Sequence, residues 1–332
     1  MSAFEPAAEA AALDALLERL HEPSVRDLAW LLLSPSLLRP QPPLGMLAEP
    51  FDSPADAAAS VAWLLTLERD PAPLRECLAA SRFTRLGRYA ECLLAFFLEH
   101  GPSLRLVAAN VALRRAGRTL GECDFLIRTP DGLRLHWELA VKCYLHAGVT
   151  DASLADYVGP SLQDRFDLKL AHLVEHQLPL SARDEFASLG HAGPWDARMF
   201  VKGWLFYRWN EASGGLELPP MPAAIDPRHA RGFWLERTAL PRFAAGRADA
   251  WAVLPRLAWL APRSERAVQA GEFVSADALA ARLASQSGPT MVAAFSRCAS
   301  GDPWIEQARG FVVPDGWPRA AAVFARQSYH QR

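Results

Sequence analysis

The stretch TLGECDFLIRTPDGLRLHWELAVKCYLH, residues 119–146, decides how the rest of the chain is read. Two apolar runs flank Pro130-Asp131-Gly132, and a three-residue loop with Gly in its left-handed position is a common hairpin connection. With Thr129 and Leu133 closing that loop, counting back along both strands sets Asp124 opposite Glu138. Side chains alternate between the two faces of a strand. Glu138, Ala140 and Lys142 therefore share one face, and Leu139, Val141 and Cys143 the other. Two carboxylates and an ammonium on one side of an apolar hairpin make a candidate metal site. The competing reading is a solvated face carrying a cross-strand ion pair, worth about 0.2–1 kcal/mol.

Outward from the hairpin the pattern changes period. Upstream, LGRYAECLLAFFLEH (86–100) spaces Ala90, Leu93, Leu94, Phe96 and Phe97 as the buried stripe of a helix, with Glu91 at its edge. LRLVAANVALRRAG, from Leu104, reads as a strand. Downstream, Gly159-Pro160, then Ser161 with Asp164 three residues on, is close to a capping box and predicts a helix through GPSLQDRFDLKLAHLVEHQL. On that helix Arg165, Lys169, His172 and His176 form a basic stripe beside Leu162, Phe166, Leu170 and Leu173. ARMFVKGWLFYRW (197–209) returns to strand character.

The expectation is an α/β protein in three parts. Residues 1–80 form a helical accessory region, with Ser53-Pro54-Ala55-Asp56 capping one of its helices. Residues 81–210 form a core in the order helix, three strands, helix, strand. Residues 211–332 form an α/β extension, with strands at 232–235, 251–260, 291–295 and 310–313 and helices at 275–284 and 318–326.

Composition narrows the class. A chain of 332 residues, 51% of them hydrophobic, has enough apolar side chain for a sizeable core, which argues against disorder. A formal net charge of −2 excludes a uniformly basic nucleic-acid binder but leaves room for a local basic groove. Cys77, Cys92, Cys123, Cys143 and Cys298 contain no Cys-x-x-Cys pair and are expected to be reduced in a cytoplasmic protein. No basic leader is read at the N-terminus. The apolar run Leu28–Leu33 is far short of the ~20 residues that cross a bilayer, so no membrane partner is expected. Among 35 basic residues the lysines are Lys142, Lys169 and Lys202 alone. A lysine kept in an arginine-rich chain suggests a place that wants a compact, deprotonatable ammonium.

At several of these points the sequence resembles the PD-(D/E)XK nuclease superfamily, whose core is a helix, three strands, a helix and a fourth strand. Leu86-Gly87-Arg88-Tyr89-Ala90-Glu91 looks like the opening helix of the resolvase-like branch, and Gly121-Glu122-Cys123-Asp124 resembles that branch's G-E-x-D strand. The resemblance implies that Asp124 and Glu138 hold Mg²⁺ or Mn²⁺ with help from Glu91. It also implies that Lys142 acts on the attacking water or the transition state, and that the partner is nucleic acid, DNA in the first instance. Arg165, Lys169 and His172 are then the expected phosphate contacts. The superfamily's lysine usually follows its acid by two residues, but here that position is Ala140 and the lysine is Lys142. WELAVKCYL and the C-terminal Arg309-Gly310-Phe311-Val312-Val313-Pro314 also look like an uncharacterised bacterial family related to this superfamily.

Two other function classes stay open. The displaced lysine is compatible with a nuclease-fold binding or scaffold protein that has lost turnover. His172-Leu173-Val174-Glu175-His176 matches H-x-x-E-H, the inverted zinc-peptidase pattern, in which the two histidines lie one turn apart. Trp204, Phe206, Tyr207 and Trp209 are read as core aromatics in preference to base-stacking ones. Arg256, Arg263 and Arg266 are read as scattered surface charge.

Overall fold

The computed structural model describes residues 6–43, 45–148, 153–191, 193–264, 272–297, 299 and 302–327. Arg266 and Cys298 lie outside the described residues. The chain is α/β and divides into two compact units, Met1–Val141 with Lys169–Lys202 and Lys142–Leu168 with Gly203–Arg332. No helix among the described residues is long and apolar enough to cross a membrane.

The first unit begins with α1 (Pro6–Arg19), α2 (Pro23–Leu33), α3 (Pro54–Arg69) and α4 (Ala72–Ala79), followed by α5 (Leu86–His100). Ser53 caps α3 as its sequence predicts, its side chain accepting from Asp56 N–H. The apolar stripe of α5 is buried through Ala90, Leu93, Leu94, Phe96 and Phe97. It is tied to α2 by the Tyr89 hydroxyl, which donates to Asp27 Oδ2 at 2.9 Å in the interior. Strands β1 (Arg105–Arg115), β2 (Arg118–Arg128) and β3 (Arg134–His146) follow, the residues of β3 from Lys142 on being counted with the second unit. β1 and β2 pair antiparallel, as do β2 and β3.

The hairpin forms in the expected register. Thr129 N–H donates to Leu133 O and Gly132 N–H to Thr129 O, each at 3.0 Å, and Gly132 sits at φ 91°, a conformation that L side chains adopt at a cost. Phe125 pairs with Trp137 and Arg128 with Arg134, a step of one more residue setting Asp124 against Glu138.

The helix after Gly159-Pro160 starts later than its capping signal predicts. Leu162 adopts φ 54°, Arg165 bridges back to Val158, and α6 runs only from Phe166 to His172. The Asp164 carboxylate, expected at the helix start, instead receives the Lys142 ammonium. One wide π turn, Leu173–Gln177, extends α6, with Leu178 N–H reaching back to Leu173 O. A 3₁₀ turn at Leu178–Ala182 and α7 (Asp184–Ala187) lead into β5 (Asp196–Arg208). In the first unit Leu113, Cys123, Leu126, Leu180 and Phe186 close one buried cluster. Gly121 lets Leu180 pack close there, because a Cβ at that position would stand 2.8 Å from Leu180 Cδ1 and the leucine tip would have to shift.

The second unit contains β4 (Tyr157–Val158), β6 (Ala230–Glu236), α8 (Leu240–Ala244), β7 (Ala250–Val253), α9 (Ala276–Leu283), β8 (Thr290–Ser296), β9 (Ile305–Val313) and α10 (Trp317–Ala325). Parallel β5/β6 and β6/β9 pairs meet antiparallel β8/β9 and β7/β8 pairs, so the strand pattern is mixed. The strand expected over 251–260 stops at Val253, because Pro255 cannot donate to a ladder and a 3₁₀ turn follows at Arg256–Ala258. Gly203, at φ 141°, lies so close to the Lys142 carbonyl that any Cβ would collide with it. Trp204, Phe206, Tyr207 and Trp209 are buried, as the core reading expects.

Arg309 shows why the RGFVVP segment begins with a guanidinium. It is buried against Trp204, pairs with Glu306, and donates to the carbonyls of Trp259, Leu260 and Ala261. Arg165 does the same at the end of α10, donating to Ala325 O at 3.1 Å and Gln327 O at 2.7 Å while pairing with Asp167. Replacing Arg165 by Ala strips these carbonyls of a donor, and the buried one at Ala325, left unsatisfied, costs about 1–3 kcal/mol. The expected outcome is an Arg165→Ala protein with a clearly lower denaturation midpoint. Nucleic-acid affinity unchanged from wild type in the same variant assigns the residue to the fold; a selective loss of affinity at unchanged stability would reverse that assignment.

Candidate functional site

At Asp124 the ladder of β2 with β3 ends and side chains take over its hydrogen bonds. On the β1 side Ala109 pairs with Phe125 and Val111 with Cys123, while Asn110 between them adopts φ 54°. On the β3 side Asp124 N–H donates to Glu138 Oε1 at 3.3 Å, and Leu139 N–H donates to Asp124 Oδ2 at 2.9 Å. Each carboxylate thus accepts from a backbone N–H of the opposite strand, Glu138 from Asp124 and Asp124 from Leu139, where a sheet would pair backbone with backbone. This fixes both carboxylates against the backbone of the facing strand.

Glu138 is the most enclosed member. Its side chain is 0% exposed, and Oε1 accepts from His136 Nε2 at 2.7 Å while Oε2 accepts from the Gln177 amide. His136 stands two residues earlier on β3, so period-two alternation puts it on the face of Glu138. Its other nitrogen, Nδ1, meets Ser181 Oγ at 3.0 Å. Lys169 Nζ donates to Gln177 Oε1 at 2.8 Å, so a polar chain runs from Lys169 through Gln177, Glu138 and His136 to Ser181. Eight positions on a regular α-helix span about 12 Å. Two long side chains and the intervening π turn allow Lys169 and Gln177 to meet.

The electrostatics follow from burial. Burial, together with the Glu138 charge, pushes the Asp124 carboxyl up to about 7, against the opposing effects of Leu139 N–H, Lys169 and His136. Burial lifts Glu138 to about 7 although Asp124 N–H and Lys169 favour its anion. Glu91, on α5, is raised to about 7 by burial and by Asp124, with Arg88 acting the other way. His136 is pushed down to about 4 by burial, so it is neutral at physiological pH. All three carboxyls resist ionisation through burial and one another's charge, and a bound cation would favour their charged forms.

The site residues expected from sequence are distributed unevenly. Asp124, Glu138, Glu91 and Lys169 belong to the first unit and sense one another's charge. Lys142 belongs to the second unit, where Asp164 holds its ammonium. Arg165 precedes α6 and caps α10, so it does not continue a stripe with Lys169. His172 is exposed, its ring centroid 5.3 Å from that of His176. Lys202, the remaining lysine, is buried over the Phe200 ring and donates to Ser34 O.

Among the described residues, the group of three potential metal-binding side chains with ligand atoms within 4.8 Å of one another is Cys123, His136 and Glu138. Neither His172, Glu175 and His176 nor Glu91, Asp124 and Glu138 closes to that distance as a set. His136, Gln177 and Ser181 carry no motif. Only His136 had a legible signal, its place two residues before Glu138.

A family model described as "Domain of unknown function (DUF1853)" matches residues 26–313. No curated protein and no solved structure matches the chain.

Proposed function

This chain belongs to the DUF1853 family, and from its site we propose a divalent-metal-dependent phosphodiesterase that cleaves nucleic acid on a PD-(D/E)XK-like core. The observation that carries this reading is that backbone N–H groups hold both carboxylates at the end of the β2/β3 ladder, Asp124 N–H donating to Glu138 and Leu139 N–H to Asp124, with both carboxyls lifted to about 7. Surplus negative charge held in place by backbone donors fits a hard cation such as Mg²⁺ or Mn²⁺, which takes oxygen ligands. Asp124 and Glu138 would hold it, with Glu91 assisting. Such an ion polarises a phosphate oxygen and lowers the pKa of its water.

The protein's own groups do the rest. Lys169 favours the anionic forms of Asp124 and Glu138 and, through Gln177, keeps the Glu138 carboxylate oriented. Arg88, exposed on α5 and linked to Glu91 and Asn110, would be the backbone-phosphate contact in this reading. Asp164 engages Lys142, so Lys169 is the lysine on which turnover depends in this reading. Replacing Lys169 by Met is expected to lower the single-turnover cleavage rate by about 10–100-fold, the usual cost of losing a partner that orients a metal ligand. Lys142→Met is expected to stay within a few-fold of wild type. Equal losses in the two variants would overturn the assignment of Lys169.

A second reading keeps the fold and the binding without the hydrolysis, and the engagement of Lys142 by Asp164 favours it. It predicts affinity for nucleic acid that falls with salt and no cleavage with Mg²⁺ or Mn²⁺. A cleavage assay on the purified full chain separates the two.

A further inference from the structure

Glu138 belongs to a second donor set that the phosphodiesterase reading does not use. Cys123 Sγ, His136 and Glu138 offer a sulfur, an imidazole nitrogen and a carboxylate oxygen, all within 4.8 Å of one another and all at fully buried side chains. Cys123 is a free thiol. We infer that these three residues form a site for a borderline-soft divalent ion of the zinc class, and that filling it withdraws Glu138 from the hard cation beside Asp124.

The donor chemistry selects the ion. Zinc is bound by thiolate, imidazole and carboxylate in any mixture, whereas Mg²⁺ seeks oxygens and sheds water reluctantly. The surroundings already supply outer partners of the kind that orient metal ligands. His136 Nδ1 lies 3.0 Å from Ser181 Oγ, a hydroxyl that can donate or accept. Shifting the imidazole proton from Nε2 to Nδ1 therefore costs no hydrogen bond on that side and frees Nε2 for the metal. Glu138 Oε2 is held by the Gln177 amide, which leaves Oε1 as the ligand atom. Gly121 admits Leu180 beside β2, which docks the segment carrying Ser181. The Cys123 thiol proton leaves to bulk water as the metal–sulfur bond forms, so uptake strengthens with rising pH.

Exclusivity follows from one atom. Glu138 Oε1 is the acceptor shared by His136 Nε2 and Asp124 N–H. An ion held between His136 and Oε1 fixes that oxygen away from Asp124. The competition rests on the phosphodiesterase reading; the existence of the thiolate site does not.

Cobalt titration of the purified full chain, freed of metal by chelator, is the test. The expected result is a thiolate-to-cobalt charge-transfer band that saturates at one ion per chain and is abolished by Zn²⁺. Cys123→Ser should remove the band, and Ser181→Ala should keep it but weaken cobalt binding by about 10–100-fold, as loss of an outer-shell partner does. Circular dichroism establishes that each variant is folded; should Cys123→Ser fail to fold, the Ser181→Ala shift carries the test. Absence of the band in wild type, its persistence in folded Cys123→Ser, or unchanged affinity in Ser181→Ala overturns the site. With a nuclease assay in parallel, Mg²⁺-dependent cleavage without a cobalt band defeats this inference alone. A cobalt band in a chain that cleaves with no ion defeats the phosphodiesterase reading alone.

Discussion

Asp124→Asn is expected to abolish Mg²⁺-dependent cleavage while leaving the protein folded. The amide keeps an oxygen where Asp124 Oδ2 accepts from Leu139 N–H, so the β2/β3 junction retains that bond. What disappears is one negative charge at the proposed cation position. Lewis-acid stabilisation and water activation by a bound ion are worth several kcal/mol of barrier, and each 1.36 kcal/mol is tenfold in rate. The expected loss is therefore at least ~10³-fold. Removing the charge also lets the neighbouring Glu91 carboxyl fall towards its ordinary range, since Asp124 repulsion is a cause of its shift. A gel assay at saturating Mg²⁺, with denaturant melts run alongside, reads both consequences. Cleavage within tenfold of wild type by a folded Asp124→Asn protein, together with full activity of Glu138→Ala, would dismiss the metal site.

How far the sequence alone reaches depends on the range of the interaction involved. Local rules fix the hairpin: Gly132 supplies the left-handed turn and Thr129 closes it, so the counting that set Asp124 against Glu138 holds in the register. The amphipathic stripe of 86–100 likewise finds its helix boundaries. The capping signal at Ser161 fails because a long-range ion pair competes for its carboxylate, Asp164 binding Lys142 from twenty-two residues away. The basic stripe fails in part for the same reason, Arg165 being drawn to carbonyls about 160 residues on. His136 illustrates the remaining gap. Its position two before Glu138 was readable from strand periodicity, but its role depends on Ser181, 45 residues downstream, and no local pattern links the two. Gln177 is similar: only the π turn after α6 brings it to Glu138, 39 residues from it in the chain.

Glu138→Gln is expected to trade activity for stability, in a manner that depends on pH. The carboxyl titrates near 4.5 in the unfolded chain and at about 7 in the folded one, so between those values the native state binds the extra proton. Stability from this group therefore falls as pH rises from 4.5 to 7, and the penalty is complete above 7. A shift of that size corresponds to roughly 3 kcal/mol. Asp124 acts with the same sign. His136, lowered from 6.5 to about 4, acts with the opposite one: the unfolded chain binds its proton first, so its contribution improves as pH rises through that window. In the wild type these slopes oppose each other below 6.5 and leave the acids unopposed above it. A neutral glutamine can still accept from Gln177 while its amide donates to His136 Nε2, once the ring takes its Nδ1–H tautomer against Ser181. The stability of Glu138→Gln relative to wild type should thus rise by up to roughly 3 kcal/mol between pH 5 and pH 8 in chelator, read by urea midpoints. Added Mg²⁺ should close part of that gap by stabilising the wild type alone, by about 2.7 kcal/mol at a hundredfold excess over its dissociation constant. A relative stability that does not change with pH would mean that Glu138 is not a strained carboxylate, and a Mg²⁺ effect of equal size on both proteins would place the ion elsewhere.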